Sequence, residues 1–221
     1  MSNKIRIPFM VCSDPDLGAT AEKIRLAVKD GAGYILLGIP FSDPTAEGPV
    51  VQEANIRALA AGVTTDKIFE FVNELRSDIK IPMGFMTYAN VVFSYGAEKF
   101  MAACRDAEIE GLVLPDLPFE EKEEFLSVCR QYSVKLISMI APASKERIAM
   151  IAREAEGFVY LVSGGAGERS GVVADPEEIV KIVRENTDIP CMAEIADVAS
   201  EPAERLSEIA DGVIVRGMSK K

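Results

Sequence analysis

Short apolar runs alternate with segments of helical periodicity along the whole chain. Residues 5–11 read as a first strand that ends at Cys12-Ser13-Asp14-Pro15. A helix is expected over 20–29, with Ala21, Ile24 and Val28 on one face. Gly31-Ala32-Gly33 breaks it, and 34–37 form a second strand. Further strands are predicted at 81–86, 111–114, 134–140, 158–162, 189–193 and 212–215. Between them lie helical stretches at 50–61, 67–76, 97–107, 119–132, one ending near 155, then 175–185 and 200–209. Thr64-Thr65-Asp66 supplies an N-cap for the second of these.

Most of the eight runs are continuously apolar, as parallel strands covered on both faces must be. The alternation is that of an α/β protein, a (β/α)8 TIM barrel. The competing architecture is an open doubly wound sheet, which usually has fewer strands and often a GxGxxG turn; no such turn occurs. After the eighth run only residues 216–221 remain. The expectation is a barrel lacking its final outer helix, with apolar surface exposed on the bare last strand. No internal repeat or linker divides the chain, so residues 1–221 read as a single domain.

Composition narrows the chemistry. The 221 residues carry 35 acids and 24 bases, a net charge of −11, which argues against nucleic acid and anionic membranes as partners. No apolar run approaches the ~20 residues of a membrane span, and the chain start lacks the apolar core of a secretory signal. A cytoplasmic protein is expected. There is no histidine, which removes Ser-His-Asp and Cys-His catalysis and every His-containing metal site. The four cysteines form no CxxC pair and read as reduced, buried thiols, with no metal site. Acid–base work falls to carboxylates, Tyr, Lys or Cys.

The loop 38–49, Gly38-Ile39-Pro40-Phe41-Ser42-Asp43-Pro44-Thr45-Ala46-Glu47-Gly48-Pro49, concentrates the candidates. Three prolines and two glycines bar it from strand or helix, and it carries Asp43 and Glu47 at the carboxyl end of a buried strand. Asp43 is either functional or a turn residue capping backbone N–H groups. Glu47 is either an acid–base group or an acid favoured by the following helix dipole. The glycine-rich stretch 163–171 either wraps a phosphate with backbone N–H groups or is a surface loop. Arg216 either contacts an anion at the end of the last strand or is a solvated terminal side chain. Tyr88, Asp116 and Tyr160 lie at or near strand carboxyl ends and ring one barrel mouth.

Several strand ends together resemble a known family. They are Ser13-Asp14-Pro15-Asp16, Leu37-Gly38-Ile39-Pro40-Phe41-Ser42-Asp43-Pro44 with Gly48-Pro49, and Ala60-Ala61-Gly62-Val63-Thr64. Met86-Thr87-Tyr88-Ala89-Asn90, Leu114-Pro115-Asp116-Leu117-Pro118-Phe119 and Ile140-Ala141-Pro142 complete the set. Over nearly its whole length the chain is similar to the α subunit of tryptophan synthase. The resemblance implies a TIM barrel performing retro-aldol cleavage of indole-3-glycerol phosphate to indole and glyceraldehyde 3-phosphate. It implies no cofactor for that reaction, and a pyridoxal-phosphate β subunit as partner. Glu47 falls where the family's acid holds the indole N–H. Phe9, Met86, Val113, Ile140 and Tyr160 fall where it lines the ring pocket, and Gly167 and Arg216 at the substrate's other end. Pro44, Asn90, Asp116 and Pro118 fall where it meets the β subunit.

The chain also departs from the family. The family's proton-transferring Glu position holds Leu36, which cannot carry a proton. Glu194-Ile195-Ala196-Asp197-Val198 stands in place of a phosphate-binding Gly-Phe-Gly-Ile-Ser segment, and Arg216-Gly217 in place of a Gly-Ser pair. The expectation is a strongly impaired lyase. The alternative is an inactive, degenerate or engineered scaffold with a binding or structural role.

Overall fold

The computed structural model describes residues 4–162, 175–195, 205 and 207–216. Nine strands form one parallel sheet: β1 (Ile5–Val11), β2 (Ile35–Gly38), β3 (Met83–Met86), β4 (Ile109–Val113), β5 (Lys135–Leu136), β6 (Ser138–Ile140), β7 (Val159–Leu161), β8 (Cys191–Ile195) and β9 (Gly212–Arg216). Their spatial order is β5-β4-β3-β2-β1-β9-β8-β7-β6. The two terminal members, β5 and β6, are halves of one apolar run interrupted at Ile137, whose amide donates to the Leu112 carbonyl at 2.8 Å. One run thus joins β4 on one side to β7 on the other. The predicted barrel is found, with its eighth barrel strand, β9, paired to β1 and β8.

The helices are α1 (Leu17–Lys29), α2 (Pro49–Ala60), α3 (Thr65–Leu75), α4 (Ala89–Tyr95), α5 (Ala97–Asp106), α6 (Glu123–Gln131), α7 (Lys145–Arg153) and α8 (Pro176–Asn186). Side-chain caps start several of them: Asp16 accepts from the Ala19 amide, Thr64 from Lys67 and Ser144 from Arg147. Of the expected helix 200–209, Arg205 and residues 207–209 are helical, and the rest lies outside the described residues. No helix among the described residues is long and apolar enough to cross a membrane.

One element is new. The sequence predicts no element between the strand ending at 86 and the helix starting at 97, but α4 begins at Ala89. Asp116, on the loop after β4, accepts from the Ala89 amide at 2.9 and 3.2 Å and caps the helix from outside it. Seven residues are too few for periodicity to reveal, and Gly96, at φ 92°, separates α4 from α5.

The larger hydrophobic cluster fills the barrel and reaches α1, α3, α5 and α6, while a second joins β6–β8 to α7 and α8. At the amino end of the barrel Tyr34 closes the floor: a Cβ at Gly111 would come within 2.9 Å of its hydroxyl. The last strand is less bare than expected. Ile214 is buried, and Val213 and Val215 are half-buried. Among the described residues the large exposed apolar side chains are led by Phe93 of α4 at 75% exposure, with Val50, Ile56 and Leu59 on α2, Leu26 on α1 and Ile5 at the start of β1.

Candidate active site

Residues in register on neighbouring parallel strands project from the same face of the sheet. Phe9 is in register with Leu36 on β2 and with Arg216 on β9. These three side chains form one layer inside the barrel. Leu36 is fully buried in it, and the Arg216 guanidinium lies over the Phe9 ring, 4.8 Å from its centroid.

The loop after β2 brings Glu47 to this layer. Asn55 of α2 accepts from the Phe41 amide at 2.9 Å, and its own amide donates to the Val51 carbonyl at 2.7 Å. Gln52 donates to the Glu47 carbonyl at 2.8 Å, so α2 holds both ends of the loop. Tyr88 stacks on Phe41 with ring centroids 4.9 Å apart and accepts from the Ala46 amide at 2.9 Å. Burial pushes the Tyr88 phenol up to about 12; the Ala46 amide opposes that shift, and Glu47 adds to it. Asp43 stays exposed, and its carbonyl accepts from the Thr45 amide, which supports the turn reading.

Glu47 points inward and is 4% exposed at its side chain. Its Oε2 accepts from Nη2 of Arg216. Nη1 of Arg216 lies 3.5 Å from both carboxylate oxygens of Glu194, at the end of β8. The Tyr160 hydroxyl donates to Oε2 of Glu194 at 2.7 Å. Burial opposes the charge of Arg216, but Tyr160, Glu47 and Glu194 outweigh it and hold its proton more tightly than usual. Burial likewise drives the Tyr160 phenol well above its ordinary range, against the pull of Arg216, so it remains a donor. Nε of Arg216 is buried and has no hydrogen-bond partner among the described residues.

Beside this cluster opens a chamber of about 450 Å³. Its walls come from β3, the loops after β4 and β6, and α7, with Glu194 and Arg216 at one end. That volume suits a small-molecule ligand.

The predicted site residues separate accordingly. Phe9, Met86, Tyr160, Glu47 and Arg216 converge, with the Met86 sulfur 3.8 Å from Nη2 of Arg216. Arg216 is therefore no solvated terminal side chain; it is 11% exposed. Val113 is buried in register with Met86. Ile140 is not part of the group. It is in register with Leu161 and packs among Ile148, Ile151 and Val183 on the helix side. Met139, one residue earlier, is in register with Tyr160 and lines the chamber; a one-residue difference in a strand reverses the face. Gly167 lies outside the described residues. Asn90, Asp116 and Pro118 are exposed near the mouth, whereas Pro44 is buried and offers no surface to a partner. Glu194 completes the cluster but was not among the predicted site residues; a carboxylate closing the apolar run of β8 was its signal.

Residues 2–219 match the family model described as tryptophan synthase alpha chain. The tryptophan synthase alpha chain of Lacticaseibacillus casei is 40% identical over 216 residues, covering 97% of this chain and 81% of that one. That of Alkaliphilus metalliredigens is 41% identical over 214 residues, covering 96% and 80%. The solved structure of tryptophan synthase subunit alpha from Legionella pneumophila superposes with a TM-score of 0.84 at 32% identity, covering 96% of this chain and 80% of that one. A structure of tryptophan synthase from M. tuberculosis gives 0.83 at 30% identity, covering 97% and 83%. The chain belongs to the tryptophan synthase alpha chain family.

Proposed function

We propose that this chain is an α-type barrel in which cleavage of indole-3-glycerol phosphate is strongly impaired. Retro-aldol cleavage needs a proton delivered to C3 of the indole and a proton removed from the side-chain hydroxyl. The residue facing the barrel interior where the family resemblance places that group is Leu36, fully buried beside Phe9. This observation carries the reading. Glu47, the acid assigned to the indole N–H, is engaged by Arg216. Loss of a general acid–base group costs ~10²–10⁴ in rate.

The second reading, a barrel with a binding or structural role only, is favoured by the Arg216 guanidinium lying against Phe9 where an indole ring would stack. Turnover of indole-3-glycerol phosphate by the purified chain, with and without a pyridoxal-phosphate β subunit, tests both. Release of indole at the rate of an ordinary α subunit refutes the first reading, and slow but measurable release refutes the second.

The β subunit is the proposed partner, docking on the exposed surface of Asn90, Asp116 and Pro118 together with Phe93. A single domain working in the cytoplasm is part of the same proposal.

A further inference from the structure

The chemistry of a TIM barrel sits at its carboxyl face, and the amino face ordinarily serves stability. In this chain the amino face holds a second cavity, of about 190 Å³. Its walls come from the opening residues of several strands or from residues just before them. They are Ile5 and Ile7 of β1, Tyr34 before β2, Phe158 before β7 and Met192 of β8, with Ile137 from the break between β5 and β6. Ile7, Ile137, Phe158 and Met192 are buried. Ile5, 39% exposed, and the exposed side chains of Glu110 and Lys135 form the rim.

Tyr34 brings a hydroxyl into this apolar wall. A Cβ on Gly84 or Gly111 would collide with that hydroxyl, so the two glycines leave the space it occupies. The Tyr34 ring meets Phe158 edge-on, with centroids 5.6 Å apart and planes at 81°. Its hydroxyl makes no hydrogen bond among the described residues. Burial holds its proton well above the ordinary range, with Glu110 adding to the shift and Arg76 opposing it, so it remains a donor. A hydroxyl set in an apolar wall without a partner is costly, and a ligand that pairs with it removes that cost. Apolar cavities of about 150 Å³ admit benzene; this one is larger and adds a hydrogen-bonding group. The Phe158 ring and the Met192 thioether suit contact with an aromatic ring. An ion would lose its hydration against the same wall. With one acid and one base, the rim draws in neither sign of charge.

We propose that the amino-end cavity is a binding site for a small neutral aromatic of phenol size, whose oxygen pairs with the Tyr34 hydroxyl. The site lies at the opposite end of the barrel from the mouth, and no contact at the mouth enters it. It therefore stands apart from the function proposed above.

Methionine methyl groups tell the two ends of the barrel apart. Met192 lines this cavity, whereas Met86 and Met139 line the chamber at the mouth. Phenol, benzene and benzoate are titrated separately into the full chain carrying carbon-13 methionine methyls, and the resonances are followed by NMR. Phenol should move the Met192 resonance saturably. It should bind about fivefold more tightly than benzene, which is ~1 kcal/mol for one neutral hydrogen bond at ~1.4 kcal/mol per factor of ten. Benzoate should leave that resonance in place. Tyr34→Phe should bring phenol down to the affinity of benzene. Ile5→Trp, which enlarges a side chain at the rim, should abolish the shift. A Met192 resonance that phenol does not move overturns the proposal, as does a phenol response confined to Met86 and Met139. Benzene or benzoate binding as tightly as phenol overturns it too. Unchanged phenol affinity in a folded Tyr34→Phe or Ile5→Trp variant does the same. Should either variant fail to fold, the ranking of the three ligands on the unaltered chain still decides.

Discussion

Between β2 and β4 the barrel mouth is held by neutral hydrogen bonds, and between β7 and β9 it is held by charge. On the first side Asn55, Gln52 and Tyr88 tie the loop 38–49 to α2 and the end of β3. On the second side Arg216, Glu194 and Tyr160 form a buried polar cluster that meets the first side, among the contacts described above, through Glu47 and through the Met86 sulfur at the end of β3. A loop held by backbone amides keeps its shape when its neighbours change. A buried ion cluster keeps its shape only while all its members are present. The side that resembles the family most closely is thus also the side whose geometry depends least on the other.

The comparison breaks most sharply at Leu36. Leu36→Glu restores a titratable group to the layer of Phe9 and should raise indole release by ~10²–10⁴ if that position alone limits the reaction. No gain in a folded variant moves the limit to the charged side of the mouth. Arg216→Met should follow in size. It leaves Glu47 and Glu194 buried without their guanidinium and should cost about 3–5 kcal/mol of unfolding free energy in a denaturant titration. A loss under 1 kcal/mol would mean that the cluster does not hold that side together.

A third effect acts on both sides through pH. Tyr88 keeps its proton in the fold up to about 12, against 10.0 ordinarily, and Tyr160 keeps its proton well beyond its usual range. Buried Cys12 does the same, from 9.0 to about 12. Below the ordinary values their contribution to stability is complete. Above them the unfolded chain releases protons that the fold retains, so stability falls as pH rises through roughly 9 to 12. The melting temperature should drop across that window, and Tyr160→Phe should flatten the drop. The smallest effect belongs to a carboxylate on the first side that stands apart from the loop 38–49: Asp116→Ala removes the external cap of α4 and should cost about 1 kcal/mol.

The strand order was legible because each buried parallel strand is written as a continuous apolar run. The loop 38–49 was legible because its prolines and glycines exclude regular structure. The face of Ile140 was not, since a continuous apolar run has no alternation to say which residue points inward. Its neighbour Met139 gains that place through the interruption at Ile137 and the pairing with β7. Arg216 was also opaque. A basic residue near the end of the sequence reads as solvated, and only the register of β9 with β1 places it over Phe9. The link between Glu47 and Arg216 spans 169 positions, a separation that no local pattern records.

That separation also sets an order in time. During synthesis at ~5–20 residues per second, Glu47 precedes Arg216 by roughly ten to thirty seconds. Throughout that interval the carboxylate has no guanidinium to meet, and β1 has β2 beside it but not β9. A charged group without its partner resists entering an apolar site. The contact between Glu47 and Arg216, like the pairing of β1 with β9, therefore waits on the last strand to be made.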